Sequence, residues 1–147
     1  MDTDFENAKK LVEETIKKLG LDPATTRAHS TDVQTAWTLK RGSASVLVTV
    51  TFHPDEDETY LRVASPVVTL PADKAKHGAL CRHLLELNAG GLANAAFGLV
   101  ADRVVVVSER PIEGLGGAEV EQTVKHLAAV ADTFDDRLEK EFGATKA

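Results

Sequence analysis

LNAGGLANAAFG, residues 87–98, decides the fold, because it can be read as a phosphate loop or as a corner. A phosphate loop runs strand, glycine turn, helix, so that amides at the helix N-terminus meet the anion. Here the flanks come in the opposite order. Upstream, from about Asp73 to Asn88, residues Leu80, Cys81, Leu84, Leu85 and Leu87 fall on one side of a helix. At about 100° per residue they fill an arc of roughly 160°. Downstream, Ala95 to Ala101 reads as a strand. The groups exposed at that helix end are carbonyls, which repel phosphate, and no GK[ST] triplet follows. Gly90 and Gly91 therefore read as a helix C-cap, where glycine accepts a left-handed backbone at little cost. The stretch turns a corner and binds no nucleotide.

Working outward, Arg103 to Glu109 with its VVVV centre pairs back through a tight turn at Ala101-Asp102-Arg103. The last helix runs from Ala118 to about Phe142, with Val120, Val124, Leu127, Ala131, Phe134 and Leu138 on one stripe. The tail GATKA is expected to fray. Upstream of the corner, Phe5 to Leu19 forms an amphipathic helix, with Thr3 as cap, Glu6 in capping-box register and Gly20 as its stop. Three strands follow: Asp32 to Arg41, Ala44 to His53 and Thr59 to Val68, with turns at Arg41-Gly42 and at the acidic PDED, 54–57. Pro66 assigns the third strand to an edge or an early end. The order α-β-β-β-α-β-β-α, with hairpin-joined strands, predicts an α+β sandwich built on an antiparallel sheet. A length of 147 residues suits one domain.

The hydrophobic fraction is 43% and the charged fraction 27%, both ordinary for a globular chain. No run approaches the roughly 18 apolar residues of a membrane span, and MDTDFENAKK lacks the apolar core of an export signal. A single cysteine, Cys81, excludes an internal disulfide and suits a reducing compartment, so the expected location is cytoplasmic. The net charge is -6 and the basic residues are scattered, which disfavours nucleic acid as a partner.

Candidate chemistry is sparse. His77 and Cys81 share a helix face, but His83 lies roughly 120° away from His77, short of the three or four converging ligands zinc needs. His29, His53 and His126 are scattered. Cys81 among leucines reads as buried and unreactive. Asp55-Glu56-Asp57-Glu58 lacks the glycine and spacing of a calcium loop, and Asp135-Asp136 point about 100° apart. No GxSxG, HExxH or CxxC occurs. The expectation is a noncatalytic protein with no metal and no cofactor. The alternative is a small metal-dependent or hydrolytic enzyme whose site is assembled from the scattered histidines, Cys81 and acids.

Two surfaces remain. Trp37 and Leu39 share a strand face with Val33, and Val67 and Val68 lie on the proline-bearing strand. They read either as core beneath a helix or as an apolar groove for an extended peptide. The arc of the second helix is wider than the roughly 100° a core-facing stripe needs. Its surplus makes Leu80, Cys81, Leu84 and Leu85 candidates for a dimer interface. Asn88 lies inside that arc, so its amide should be hydrogen-bonded.

The C-terminal half, roughly residues 73 to 143, resembles the YbjN family, grouped with the type III secretion chaperone-like (CesT/Tir chaperone) fold. The marks are LLELN at 84–88, AAFGL at 95–99, the VVVVSERP strand and the long helix carrying ADTFDDRL. The N-terminal half matches in element order. This resemblance implies the α-β-β-β-α-β-β-α sandwich, often dimeric and without catalytic residues. Secretion chaperones of the fold are small acidic dimers that bind an extended client segment on apolar patches, and YbjN relatives are linked to regulation or stress response. The function it implies is a protein-binding module, chaperone-like or a regulatory adaptor, with a protein client as partner.

Overall fold

The computed structural model describes residues 2–147. Helix α1 (Asp2–Lys18) and the short α2 (Pro23–Thr26) precede four strands: β1 (Arg27–Ser30), β2 (Gln34–Arg41), β3 (Ala44–His53) and β4 (Glu58–Thr69). Then come α3 (His77–Ala89), β5 (Ala96–Val100), β6 (Arg103–Pro111), α4 (Gly117–Phe142) and β7 (Thr145–Lys146). All strand pairs are antiparallel, in the order β1-β2-β3-β4-β6-β5, with β7 added on β4. The predicted α+β order stands, with α2, β1 and β7 added to it.

One core cluster lies between the sheet and three helices. Helix α1 contributes Phe5, Ala8, Val12 and Ile16; α3 contributes Leu80 and Leu84; α4 contributes eight buried residues from Val120 to Leu138. The sheet answers with one side of its pleat: Trp37 and Leu39, Val46, Val48 and Val50, Leu61 and Val63, Val104 and Val106. Fully burying one such side chain contributes about 1.5–3 kcal/mol, so this seam dominates stability. The Trp37 indole N–H, deep in it, donates to Glu13 Oε2 at 3.3 Å, and the same oxygen takes Arg27 at 2.5 Å. That triad ties β1 and β2 to α1.

The termini and turns depart from expectation in small ways. Thr3 lies inside α1 and does not cap it. The β2–β3 hairpin turns at Gly42-Ser43, one residue later than predicted, since Arg41 pairs with Ala44. Gly90 keeps a right-handed backbone and takes the Glu86 and Leu87 carbonyls, while Gly91 makes the left-handed step at φ +88°. The tail does not fray. Gly143, left-handed at φ 71°, reverses the chain after α4, Ala144 is buried, and Thr145–Lys146 pair with Thr69–Val68.

Strand β4 is interior, between β3 and β6, and not the edge its proline suggested. Its pairing with β3 stops at Ala64 and that with β7 begins at Val68. Pro66 sits in the gap, beside a register shift against β6 between Pro66 and Val68. A bulge where pairing changes hands tolerates a residue that cannot donate.

Candidate functional site

The alternation of each strand leaves a second sheet face that no helix covers. On β3, Val46, Val48, Val50 and Phe52 turn to the helices, so Ser45, Leu47, Thr49, Thr51 and His53 turn away. The register carries that face across the sheet: Thr38, Leu47, Ala64, Val107 and Ala96 stand in one cross-strand row. Leu47, on β3 beside the central Ala64, is 40% exposed. Beside the row, a shallow hollow of about 630 Å³ is lined by His29, Gln34, Thr51, His53, Arg62 and Glu109, among others. Arg62 and Glu109 meet at 3.7 Å across its floor. His53 packs edge-on to Tyr60, whose hydroxyl donates to Glu56 at 3.2 Å. That hydrogen bond, with the Glu56 charge behind it, raises the Tyr60 phenol above its usual range.

Trp37, Leu39, Val67 and Val68 do not lie on this surface. All four are buried in the core, Trp37 against α1 through Glu13. They are the most apolar residues of their strands, and burial against helices is where such residues gain most. The outward residues beside them, Thr38, Ala64 and Pro66, are smaller and more exposed.

Helix α3 divides the expected dimer set. Leu80 and Leu84 pack inward, Cys81 is half-buried, and Leu85 is 68% exposed. Leu99 and Val100 of the adjacent edge strand β5 are exposed as well. Asn88 makes the hydrogen bonds expected of it: its amide donates to the Phe97 carbonyl at 3.2 Å and its oxygen accepts the Phe97 N–H at 2.7 Å. Both backbone groups of Phe97 on the β5 edge are thereby occupied. At the opposite edge, all four residues of β1 are exposed.

The scattered polar residues do not assemble a reaction centre. His77 Nε2 meets the Pro71 carbonyl and His126 Nε2 the Leu92 carbonyl, each at 2.7 Å. His83 leans on Phe142 with Glu141 at 3.8 Å. His29 and His53 share the sheet-face hollow, away from Cys81. Asp136 pairs with Lys146 at 2.5 Å, and Asp135, pushed up by burial, turns toward a separate hollow with Lys40 and Arg103. Among the described residues, no three His, Cys, Asp or Glu side chains are grouped to hold a metal. No helix among the described residues is long and apolar enough to cross a membrane.

A one-sided helical cover on an antiparallel sheet, with an open face and a free edge, defines a class: the fold of type III secretion chaperones. The ExsC-ExsE complex superposes with a TM-score of 0.64 at 17% identity, over 89% of this chain and 92% of that one. The HopA1-SchA chaperone-effector complex gives 0.61 at 14%, over 92% and 98%. The Yersinia pestis type III secretion chaperone SycH, solved with a stable fragment of YscM2, gives 0.56 at 16%, over 85% and 97%. Identities this low establish the fold. Residues 6–147 match the family described as T3SS (YopN, CesT) and YbjN peptide-binding chaperone 1, and the chain belongs to that family. No curated protein matches the chain in sequence.

Proposed function

We propose that this protein is a noncatalytic peptide-binding chaperone that receives an extended segment of a partner protein on the uncovered face of its sheet. The observation that carries the reading is the cross-strand row Thr38, Leu47, Ala64, Val107 and Ala96, which no helix of the described residues covers. A client chain lying there would gain from apolar contact and from hydrogen bonding to the hollow beside the row. The family match and the chaperone-effector complex among the similar structures support it. The chain acts as one domain in the cytoplasm, as a homodimer formed through the outer side of α3 and the edge strand β5. Leu85, Leu99 and Val100 are the exposed apolar groups there, with Cys81 half-buried behind them.

The test is selection of unstructured peptides from a displayed library, followed by amide mapping of a selected peptide on the protein. Binding should perturb Leu47, Ala64 and Val107 together, and Leu47→Asp should abolish it while the fold persists. Binding that maps elsewhere, or no peptide retained above scrambled controls, overturns the proposal.

A further inference from the structure

We propose that the cavity between the 91–95 loop, the end of β6 and the first half of α4 is a carboxylate-binding subsite centred on Arg110. It has a volume of about 290 Å³, the size of one side chain or chain terminus, and draws Asn94, Arg110, Gln122 and Thr123 from three different segments. It is separate from the uncovered sheet face and does not depend on that reading.

Arg110 is half-buried, yet no carboxylate lies within ion-pair distance of it among the described residues. On a chain with 23 acidic and 17 basic residues, a half-buried cation without an acidic partner is conspicuous. Its guanidinium is nevertheless held in place. Nε donates to the Pro111 carbonyl at 3.2 Å and Nη2 to the Glu113 carbonyl at 3.3 Å. A guanidinium carries five N–H donors, so a positioned fork keeps free donors for a planar oxyanion. Asn94 and Gln122 on the same lining are exposed and Thr123 is half-buried, so their side-chain donors are open to a ligand. Their amide and hydroxyl donors complete the set. Glu119 also lines the cavity, but its Oε2 accepts the Gly116 N–H at the start of α4 and is committed to that cap.

The wall opposite α4 is held under strain. Ala93 and Asn94 are both left-handed, at φ 55° and 51°. Alanine seldom adopts that conformation, so the loop there is fixed in shape. His126 braces this loop through the Leu92 carbonyl. The acidic group fits as an Asp or Glu side chain or as the terminal carboxylate of a bound segment.

The experiment is a titration of the whole chain followed by amide NMR at constant ionic strength. N-acetyl-glutamate N-methylamide supplies a side-chain carboxylate, N-acetyl-alanine a terminal one, and N-acetyl-glutamine N-methylamide is the neutral control. Both, or one, of the carboxylate probes should shift Ala93, Asn94 and Gln122 to His126 saturably, and the stronger of the two identifies the natural source. Arg110→Gln should weaken that probe about tenfold or more, as loss of a charge-assisted hydrogen bond implies. Arg110→Lys should fall between, because lysine lacks the fork. Thr123→Val gives a second reading should Arg110→Gln fail to fold, and should weaken the probe severalfold. Equal binding of the neutral probe, no saturable shift at these amides, or an unchanged affinity in folded Arg110→Gln and Thr123→Val would each overturn the subsite.

Discussion

The two faces of this sheet are made by the same strands, and they differ in almost everything else. On β3 the inward set is Val46, Val48, Val50 and Phe52, and the outward set is Ser45, Leu47, Thr49, Thr51 and His53. The inward set interlocks with α1 and α4, where every methyl group matters. The outward set is small, mixed and only partly covered, so a change there alters what the surface can hold more than whether the chain folds. The packed face and the uncovered face are thus separated by one residue of register.

The contrast can be broken most violently from within α3. Leu84 is buried and Leu85 is exposed. Leu84→Glu places a charge in the core and should remove several kcal/mol, enough to unfold a marginal domain. Circular dichroism would show it, and a folded, native-like Leu84→Glu would contradict the packing described. Trp37→Ala should cost about 3–5 kcal/mol in urea unfolding, the range for emptying a large aromatic site. Leu85→Glu should leave the unfolding midpoint almost unchanged while converting a dimer to a monomer in light scattering. If the wild type is already a monomer, the α3–β5 interface is wrong. On the open face, Leu47→Asp should stay within about 0.5 kcal/mol of wild type in the same urea experiment, as surface changes do. A loss as large as that of Trp37→Ala would mean that the face is not open.

The smallest effect concerns β7. Lys146, hydrogen-bonded to Asp136, holds that carboxyl below the usual carboxylate range. A carboxyl lowered in the fold adds stability above its unfolded pKa, about 3.9, and loses it as pH falls through the folded value. Asp135 is raised by burial, so its contribution runs the other way, present below the unfolded value and lost as pH rises through the folded one. The protection of the Thr145 and Lys146 amides, measured against the intrinsic exchange rate at each pH, should fall below about pH 4, and Asp136→Asn should lower it at neutral pH without moving global unfolding. Unchanged exchange in the variant would remove the pair from the account of β7.

Much of this was legible in the residues. The glycine corner, the long α4 stripe and the hairpins follow from period and turn chemistry, and Asn88 was placed by the cost of an unbonded amide. Strand β1 was not legible, since RAHS has no alternation and owes its position to Arg27 meeting Glu13 on α1. Strand β7 has two residues and exists because Gly143 turns the chain back onto β4. The partner surface was sought among Trp37, Leu39, Val67 and Val68 because apolar content was the available signal. That signal marks the core first, and the open face became visible only once register told inward from outward.

The break in pairing along β4 gives the sheet a seam. Between Ala64 and Val68, neither β3 nor β7 pairs with it, though the Ser65 hydroxyl donates across to the Ser45 carbonyl at 2.8 Å and the Ala147 N–H to the Val67 carbonyl at 3.3 Å. Two residues of β7 are the stitch that closes its far end. Pull that stitch, and an inner strand acquires a short raw margin of unpaired amides, the kind of border at which sheets from separate molecules zip together. Residues 145 and 146 thereby cover the margin of a strand laid down some eighty positions earlier.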